Sequence, residues 1–178
     1  MRVIGPSDLL NHKKLALLCS RACPGSIIIH TLDMVRALRE TSWAVISGFQ
    51  SPTEQECLDL LLRAEHAVII CPARSVDGMR VPTAWKPALA AGRILITSRF
   101  EKAVRRATAA TAEERNRYVL SLADAIFIPH ANPGGRLNAV CRETLAAGRT
   151  LWTLDDPANA HLLSAGAKPL KSLNDLLE

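Results

Sequence analysis

The sequence predicts a Rossmann-like α/β domain, with a doubly wound, mainly parallel sheet that carries helices on both faces. Short apolar runs alternate along the 178 residues with longer segments that have the 3.6-residue period of a helix. The runs are apolar at nearly every position, which is typical of parallel strands buried on both faces. No linker-like stretch, low-complexity tract or internal repeat interrupts this alternation. Residues 1–178 are therefore expected to form one domain.

The first part of the chain predicts an edge strand, two inner strands and a helix. Residues 2–4 (RVI) are a short apolar run that fits a sheet edge. LALLC at 15–19 and WAVIS at 43–47 have no polar alternation, so they are predicted as buried strands. Between them, residues 26–40 place apolar side chains at helical spacing and predict a helix.

The middle of the chain repeats this pattern. Residues 53–64 predict a helix, and HAVIIC at 66–71 predicts the next strand. A short helix is expected at 83–91, because Gly92 directly after it is a suitable C-cap. ILIT at 94–97 predicts a further buried strand.

The last third of the chain predicts two more strands and three helices. These are helices at 111–122, 137–147 and 170–177, and strands at 125–129 and 150–154. Thr111 and Glu114 have the spacing of a capping box at the start of the first of these helices. Gly148 closes the second helix.

The composition is typical of a globular protein, and the net charge permits an anionic partner without requiring one. The formal net charge is +5 and the sequence pI is about 9.2. The basic excess lies mainly in residues 93–149, which hold ten Lys/Arg and five Asp/Glu. This charge distribution allows a polyanion as a partner. No apolar run is long enough to span a bilayer and the N-terminus lacks a signal-peptide pattern, so a cytoplasmic protein is expected.

Metal sites, common cofactor motifs and nucleophilic catalysis find no support in the sequence. The five cysteines include no CxxC pair, and the five histidines form no HxxxH or HExxH pair. Neither GxGxxG nor GxxxxGK[ST] occurs, and no Ser/His/Asp or Cys/His arrangement is recognisable. We therefore expect no metal, no cofactor and no catalytic residue.

The residues that follow the predicted strands are small, polar and basic. Ligands of open parallel sheets bind at the carboxyl ends of the strands, near the switch point of the topology. Carboxylates follow only the last predicted strand, as Asp155 and Asp156. Free N–H groups at helix starts and arginine side chains both suit phosphate. The strand ends therefore predict a phosphate site that includes Ser20, Arg21, Gly48, Ser51, Arg74, Gly134, Gly135 and Arg136.

Four segments resemble the DNA-processing protein A (DprA, also called Smf) family. They are KLALLCSRACPGS (14–26), WAVISGFQSPTEQECL (43–58), RNRYVLSLADAIFI (115–128) and ETLAAGRTLWTLDDPANAHLLSAGAKPL (143–170). The resemblance covers roughly residues 2–170. It implies a Rossmann core that binds single-stranded DNA in a basic pocket and passes it to a recombinase. The helix-fork and winged-helix domains that often flank this core are not expected here.

The resemblance also implies which residues face the ligand. They are Ser20, Arg21, Ser47, Gly48, Arg115, Asn116, Arg117 and the turn Gly134-Gly135. Arg115 and Arg117 are two residues apart and cannot share one helix face, so a solvated helix position is the alternative for Arg117.

A second resemblance is to the Lonely Guy phosphoribohydrolases, which cleave nucleoside 5′-monophosphates. Arg115 and the turn Pro133-Gly134-Gly135 match the motif of that family. Asn138 stands at the motif threonine and is added to the expected phosphate-binding residues. Cys141 stands at the catalytic glutamate, and Glu143 lies two positions later, on a different helix face. Without a placed carboxylate the enzyme hypothesis is weak.

Three functional hypotheses remain open from the sequence. The first is a non-catalytic single-stranded DNA binder, with an exposed aromatic such as Phe49 as a stacking residue and homodimerisation to lengthen the basic path. The second is a nucleotide-sensing module, and the third is the phosphoribohydrolase, which requires Glu143 to reach the site. A basic track leading away from the pocket would favour DNA. A closed pocket ringed by Arg115 and Gly134 would favour a nucleotide.

Overall fold

The computed structural model describes residues 2–177, and within them eight strands form one sheet. The strands are β1 (Arg2–Ile4), β2 (Lys14–Leu17), β3 (Ala44–Ser47), β4 (Val68–Ile70), β5 (Ile94–Ser98), β6 (Ala125–Phe127), β7 (Trp152–Leu154) and β8 (Lys168–Leu170). Their order is β1-β5-β4-β3-β2-β6-β7-β8, and β1 alone among these pairs antiparallel. The predicted fold class and the edge strand at 2–4 are confirmed.

Helices cover both faces of the sheet. They are α1 (Gly25–Leu38), α2 (Pro52–Arg63), α3 (Lys86–Ala90), α4 (Ala109–Leu122), α5 (Arg136–Ala146), α6 (Ala160–Ser164) and α7 (Asn174–Leu177). One apolar cluster joins the sheet to α1, α2, α3 and α7, and the other joins it to α4, α5 and α6. The central strands are buried on both faces, as their continuous apolar sequences predict.

The switch point of the sheet lies between β2 and β6. From β2 the chain adds β3, β4 and β5 on one side, and then crosses through α4 to place β6 on the other side of β2. The loops that leave β2 and β6 therefore diverge to opposite faces and open a crevice at their carboxyl ends.

Two local predictions are wrong, and one strand was not predicted. The capping box of α4 is formed by Thr108 and Thr111, since the helix begins at Ala109 and each residue bonds the other's backbone N–H. The predicted helix at 170–177 contains only α7. Its first residue belongs to β8, a strand that the sequence pattern did not predict because its Lys-Pro-Leu run is short and partly exposed.

Within residues 2–177, no helix is long and apolar enough to cross a membrane.

Candidate functional site

A cavity of about 590 Å³ opens at the switch point. Its wall combines the loops that follow β2, β3 and β6 with the beginning of α4. The lining residues are Cys19, Ser20, Arg21, Gln50, Ser51, Glu54, Ala107, Thr108, Ala109, Ala112, Arg115, Asn116, Asn132, Gly135, Arg136 and Leu137. The volume is in the range of small-molecule sites in proteins. Its position is the one that the parallel topology predicts for a ligand.

Ser20 ties the two sides of the crevice together. Its backbone N–H donates to the carbonyl oxygen of His130 (3.0 Å), and its Oγ accepts from the N–H of Asn132 (2.9 Å). The loops after β2 and β6 are thus fixed relative to each other. Arg21, the next residue, is exposed at the mouth of the cavity.

Arg115 forms a buried part of the cavity wall. Its side chain enters from α4 and only 4% of the residue is exposed. Nη1 donates to the carbonyl oxygen of Cys71 (3.1 Å), Nη2 to Oε1 of Gln50 (3.2 Å) and Nε to Oδ1 of Asn116 (2.9 Å). Burial lowers the pKa of the Arg115 guanidinium, although the nearby Glu54 opposes that shift. Arg115 remains a cation at neutral pH because its unperturbed pKa is so high.

Gly48 permits this position of Arg115. A Cβ atom built on Gly48 would overlap with the guanidinium group. The backbone at the end of β3 can approach the arginine this closely only because residue 48 has no side chain.

Glu54 is a carboxylate of the cavity that the sequence analysis missed. It lies in the first turn of α2, and only 4% of it is exposed. Oε1 accepts the N–H of Cys19 (2.8 Å), and Oε2 accepts the N–H groups of Gln50 (2.8 Å) and Ser51 (3.4 Å). The Ser51-x-x-Glu54 spacing is a capping box and could have revealed this residue. The expectation that carboxylates follow only the last strand is therefore wrong.

The carboxylate of Glu54 is occupied by contacts inside the protein. Burial raises the pKa of its carboxyl, while the N–H donors and the Arg115 charge act in the opposite direction. Both oxygens accept from the backbone, so the carboxylate fixes the loops after β2 and β3. The charged side chains at the mouth of the cavity are the exposed Arg21 and Arg136. Nη1 of Arg136 lies 3.9 Å from Oε2 of Glu113. The cavity therefore presents positive charge to a ligand.

The start of α5 adds backbone donors to the cavity. Gly135 is its N-cap and supplies no capping side chain, whereas α2 and α4 both begin with capping boxes. Gly134 has φ = +71°, which favours glycine, and turns the chain from β6 into this helix. The uncapped N–H groups at the start of an 11-residue helix suit an anionic oxygen.

The structure brings about half of the predicted residues to this cavity. The predicted residues that line it are Ser20, Arg21, Ser51, Arg115, Asn116, Gly135 and Arg136. Gly48 contributes indirectly, because its lack of a side chain leaves room for the Arg115 guanidinium. Ser47 is buried at the end of β3, where its Oγ accepts from the N–H of Phe49 (3.1 Å). The structure does not bring Arg74, Arg117, Gly134 or Asn138 to the cavity wall.

Arg117 lies on the outer surface of α4. Its Nε donates to Glu143 (2.8 Å) and its Nη2 donates to Glu113 (2.6 Å). It points away from Arg115 because residues two apart on a helix differ by about 200° in direction. The solvated position named as the alternative for Arg117 is the one that the structure shows.

Two further expectations fail on burial and direction. Phe49 is only 5% exposed and packs in the core, so it offers no face for a base to stack on. Glu143 is exposed and held by Arg117, which lowers the pKa of its carboxyl, and it does not reach the cavity. Cys141 is fully buried in the core. The phosphoribohydrolase hypothesis thus loses the carboxylate that it requires.

Another cavity, of about 580 Å³, lies at the opposite, amino-terminal ends of the strands. It contains Trp43 and Trp152, but Lys13 and Lys168 lie over the two indole rings, 5.3 and 5.4 Å from the ring centroids. Asp124 and Asp175 are also in its wall. The covered rings and the two carboxylates make this cavity a poorer site for a phosphate-bearing ligand than the cavity at the switch point.

Cys23 is expected to be the most readily alkylated cysteine of the protein. A hydrogen bond from Cys19 lowers the pKa of the half-buried Cys23 thiol, whereas burial raises those of Cys57, Cys71 and Cys141 to about 12. Iodoacetamide labelling at pH 7 to 8, read by mass spectrometry, should therefore modify Cys23 first. Labelling of the Cys23→Ser variant at an unchanged rate would contradict this.

Comparisons with known proteins identify the family and agree with the fold. A family model described as DNA recombination-mediator protein A matches residues 1–178. DNA processing protein A from Streptococcus pneumoniae has the same fold, with a TM-score of 0.81 at 20% identity; the match covers 98% of this chain and 64% of that one. A DNA processing protein A from Helicobacter pylori, described for its single-stranded DNA binding mode, gives 0.79 at 22% identity over 97% and 82%.

More distant structures share the fold as well. The molybdenum cofactor carrier protein from Chlamydomonas reinhardtii matches with a TM-score of 0.58 at 11% identity, over 93% of this chain and 94% of that one. No curated protein matches the sequence. The chain spans less than two thirds of the length of the Streptococcus pneumoniae protein.

Proposed function

This chain belongs to the DNA recombination-mediator protein A family, and on that premise we propose that it binds single-stranded DNA at the switch-point cavity. The observation that carries the proposal is that the uncapped start of α5 and the exposed Arg21 and Arg136 all line one cavity. Backbone N–H groups and arginines are the usual phosphate ligands of proteins.

In the proposed complex, the cavity residues have separate roles. Arg21, Arg136 and the N–H groups at the start of α5 bind phosphate oxygens, and the Ser20 and Asn132 loop contact keeps these donors in place. Arg115 and Glu54 hold the wall of the cavity from inside the protein. The Helicobacter pylori structure supports this ligand, because that protein has the same fold and is described as binding single-stranded DNA.

The test is fluorescence anisotropy of a labelled oligothymidine of about 20 nucleotides, titrated with protein at several salt concentrations. We expect salt-dependent binding that weakens about tenfold for Arg21→Ala and for Arg136→Ala, since each removes a charge-assisted contact of about 1.5 kcal/mol. Each change should also reduce the salt slope by about 0.7, the value for one phosphate contact of a single strand.

The matched control is Arg63→Ala, which removes an exposed arginine from the last turn of α2, away from the cavity wall. It should bind DNA as the unchanged protein does. No binding of DNA at low salt would refute the proposal. Thermal stabilisation by mononucleotides would then favour the nucleotide-sensing hypothesis, for which the cavity of about 590 Å³ is large enough.

The proposal includes a partner that receives the bound strand. The family description names a recombination mediator, so the expected recipient is a recombinase, and pairing of two copies of the chain would lengthen the DNA path. Light scattering with and without oligothymidine measures this pairing. Transfer of labelled DNA to a recombinase of the same organism measures the hand-over, and the absence of transfer would refute that part of the proposal.

A further inference from the structure

A second basic cavity lies on the same edge of the sheet, beside the switch-point cavity. It has a volume of about 590 Å³ and is formed by the loops after β4 and β5 together with Arg2 of the edge strand. Arg74, Lys102 and Arg105 contribute its cations. The carboxylate in its wall is Asp77, which already accepts from Arg2 and, at 3.1 Å, from Oγ of Ser75.

The remaining cations of this second cavity are unpaired. Among residues 2–177, no carboxylate lies within 4 Å of the charged groups of Arg74, Lys102 or Arg105. Lys102 and Arg105 are exposed, and Arg74 is half-buried. Three like charges around one cavity repel one another unless an anion joins them. The arrangement therefore suits a ligand with negative charge.

The backbone of the second cavity is fixed by hydrogen bonds. The N–H of Ser75 donates to the carbonyl oxygen of Val104 (2.8 Å), which joins the two loops. Oγ of Ser98 donates to the carbonyl oxygen of Arg74 (2.8 Å), which joins the first loop to the end of β5. The cations thus project from positions that are set before a ligand arrives, and this lowers the entropic cost of binding.

One loop contributes to both cavities. Lys102 and Arg105 line the second cavity, while Ala107 and Thr108 of the same loop line the switch-point cavity. Residues 105 and 107 are at most about 7 Å apart at their Cα atoms. A single flexible anion can therefore occupy both cavities at once.

We propose that the second cavity binds phosphates of the same DNA strand that occupies the switch-point cavity, so that the strand runs along the sheet edge toward β1. This inference rests on the proposed function. An extended polyanion fits better than a free phosphate or a nucleotide, since the cations are spread along the path. An acidic peptide has the same charge, but the family's role in DNA recombination favours DNA.

The test compares oligothymidines of two lengths, about 2 and about 20 nucleotides, because the shorter one fills a single cavity of about 590 Å³ and only the longer one can occupy both. The variant is Lys102→Ala with Arg105→Ala. We expect it to bind the long strand at least tenfold more weakly and with a salt slope smaller by about 1.4, the value for two contacts, while the short strand binds as before. Arg36→Ala with Arg63→Ala, which removes two exposed arginines from α1 and α2, is the control for net charge.

The outcomes separate the two ideas. If the unchanged protein binds neither strand, the proposed function fails. If it binds the long strand but the Lys102 and Arg105 variant binds it equally well, the second cavity is not used and the proposed function stands. The inference would also be overturned if the variant and the control lost the same amount of affinity for the long strand. A third contrary outcome is that the unchanged protein binds polyglutamate, and that the variant loses this binding while it keeps its affinity for DNA. Arg74→Ala removes a cation of the second cavity from the other loop, and it should also weaken binding of the long strand.

Discussion

Replacing Gly48 with alanine is expected to lower the free energy of unfolding by about 3 kcal/mol and to weaken the proposed binding of DNA at least tenfold. The new Cβ atom would overlap with the Arg115 guanidinium, so the arginine has to move. A moved arginine leaves the carbonyl oxygen of Cys71 and Oε1 of Gln50 without their donor, and it separates a buried cation from Glu54. Gln50 and Arg115 both line the cavity, so the binding surface changes with the core.

The measurements are urea unfolding and oligothymidine anisotropy of the Gly48→Ala protein. Gly25→Ala is the matched control, because a Cβ atom on Gly25 meets no atom within 4 Å and the residue begins α1. Adding Gly48→Ala to Arg115→Ala provides a second check that does not depend on DNA. Once the arginine is gone there is room for the methyl group, so the cost of Gly48→Ala should almost disappear. An equal cost with and without Arg115 would show that the contact between the two residues is not the cause.

The fold, and the cavity that forms the candidate site, could be predicted from the sequence because both depend on local patterns. Continuous apolar runs specify strands buried on both faces, and the parallel topology places ligands at the carboxyl ends. Ser20 and Arg21 follow a strand directly, so the pattern places them at the cavity. Gly135 and Arg136 follow from the turn that opens α5. These residues are fixed by their position along the chain.

The rest depends on side-chain direction, which the strand and helix pattern does not determine. Glu54 was missed because its role comes from folding back over the start of α2 to reach the N–H of Cys19, 35 residues earlier. Phe49 follows a strand as the other rim residues do, yet with φ = +48° it turns into the core. Asn138 is in α5 but faces α6, at a small cavity that it shares with Arg142 and His161. Neighbours distant in sequence decide each of these cases.

Replacing Glu54 with alanine is expected to cause the largest loss of stability, about 3 to 5 kcal/mol. The change leaves the N–H groups of Cys19 and Gln50 buried without an acceptor, and it leaves Arg115 as a buried cation without its nearby anion. Urea unfolding at pH 7 measures the effect. Glu56→Ala, an exposed change two residues later on the opposite side of the same helix, should alter the free energy of unfolding by no more than about 0.5 kcal/mol.

The isosteric change Glu54→Gln makes the test sharper. A glutamine has one acceptor oxygen, so its NH₂ group must face either the N–H of Cys19 or that of Gln50, where two donors meet. We expect this variant to lose about 2 kcal/mol despite its unchanged shape, because one buried N–H stays unsatisfied. Stability equal to that of the unchanged protein would mean that the two carboxylate oxygens are not both required as acceptors. Glu54 would then shape the cavity through its size alone, and its negative charge would not be needed to stabilise the buried Arg115 cation.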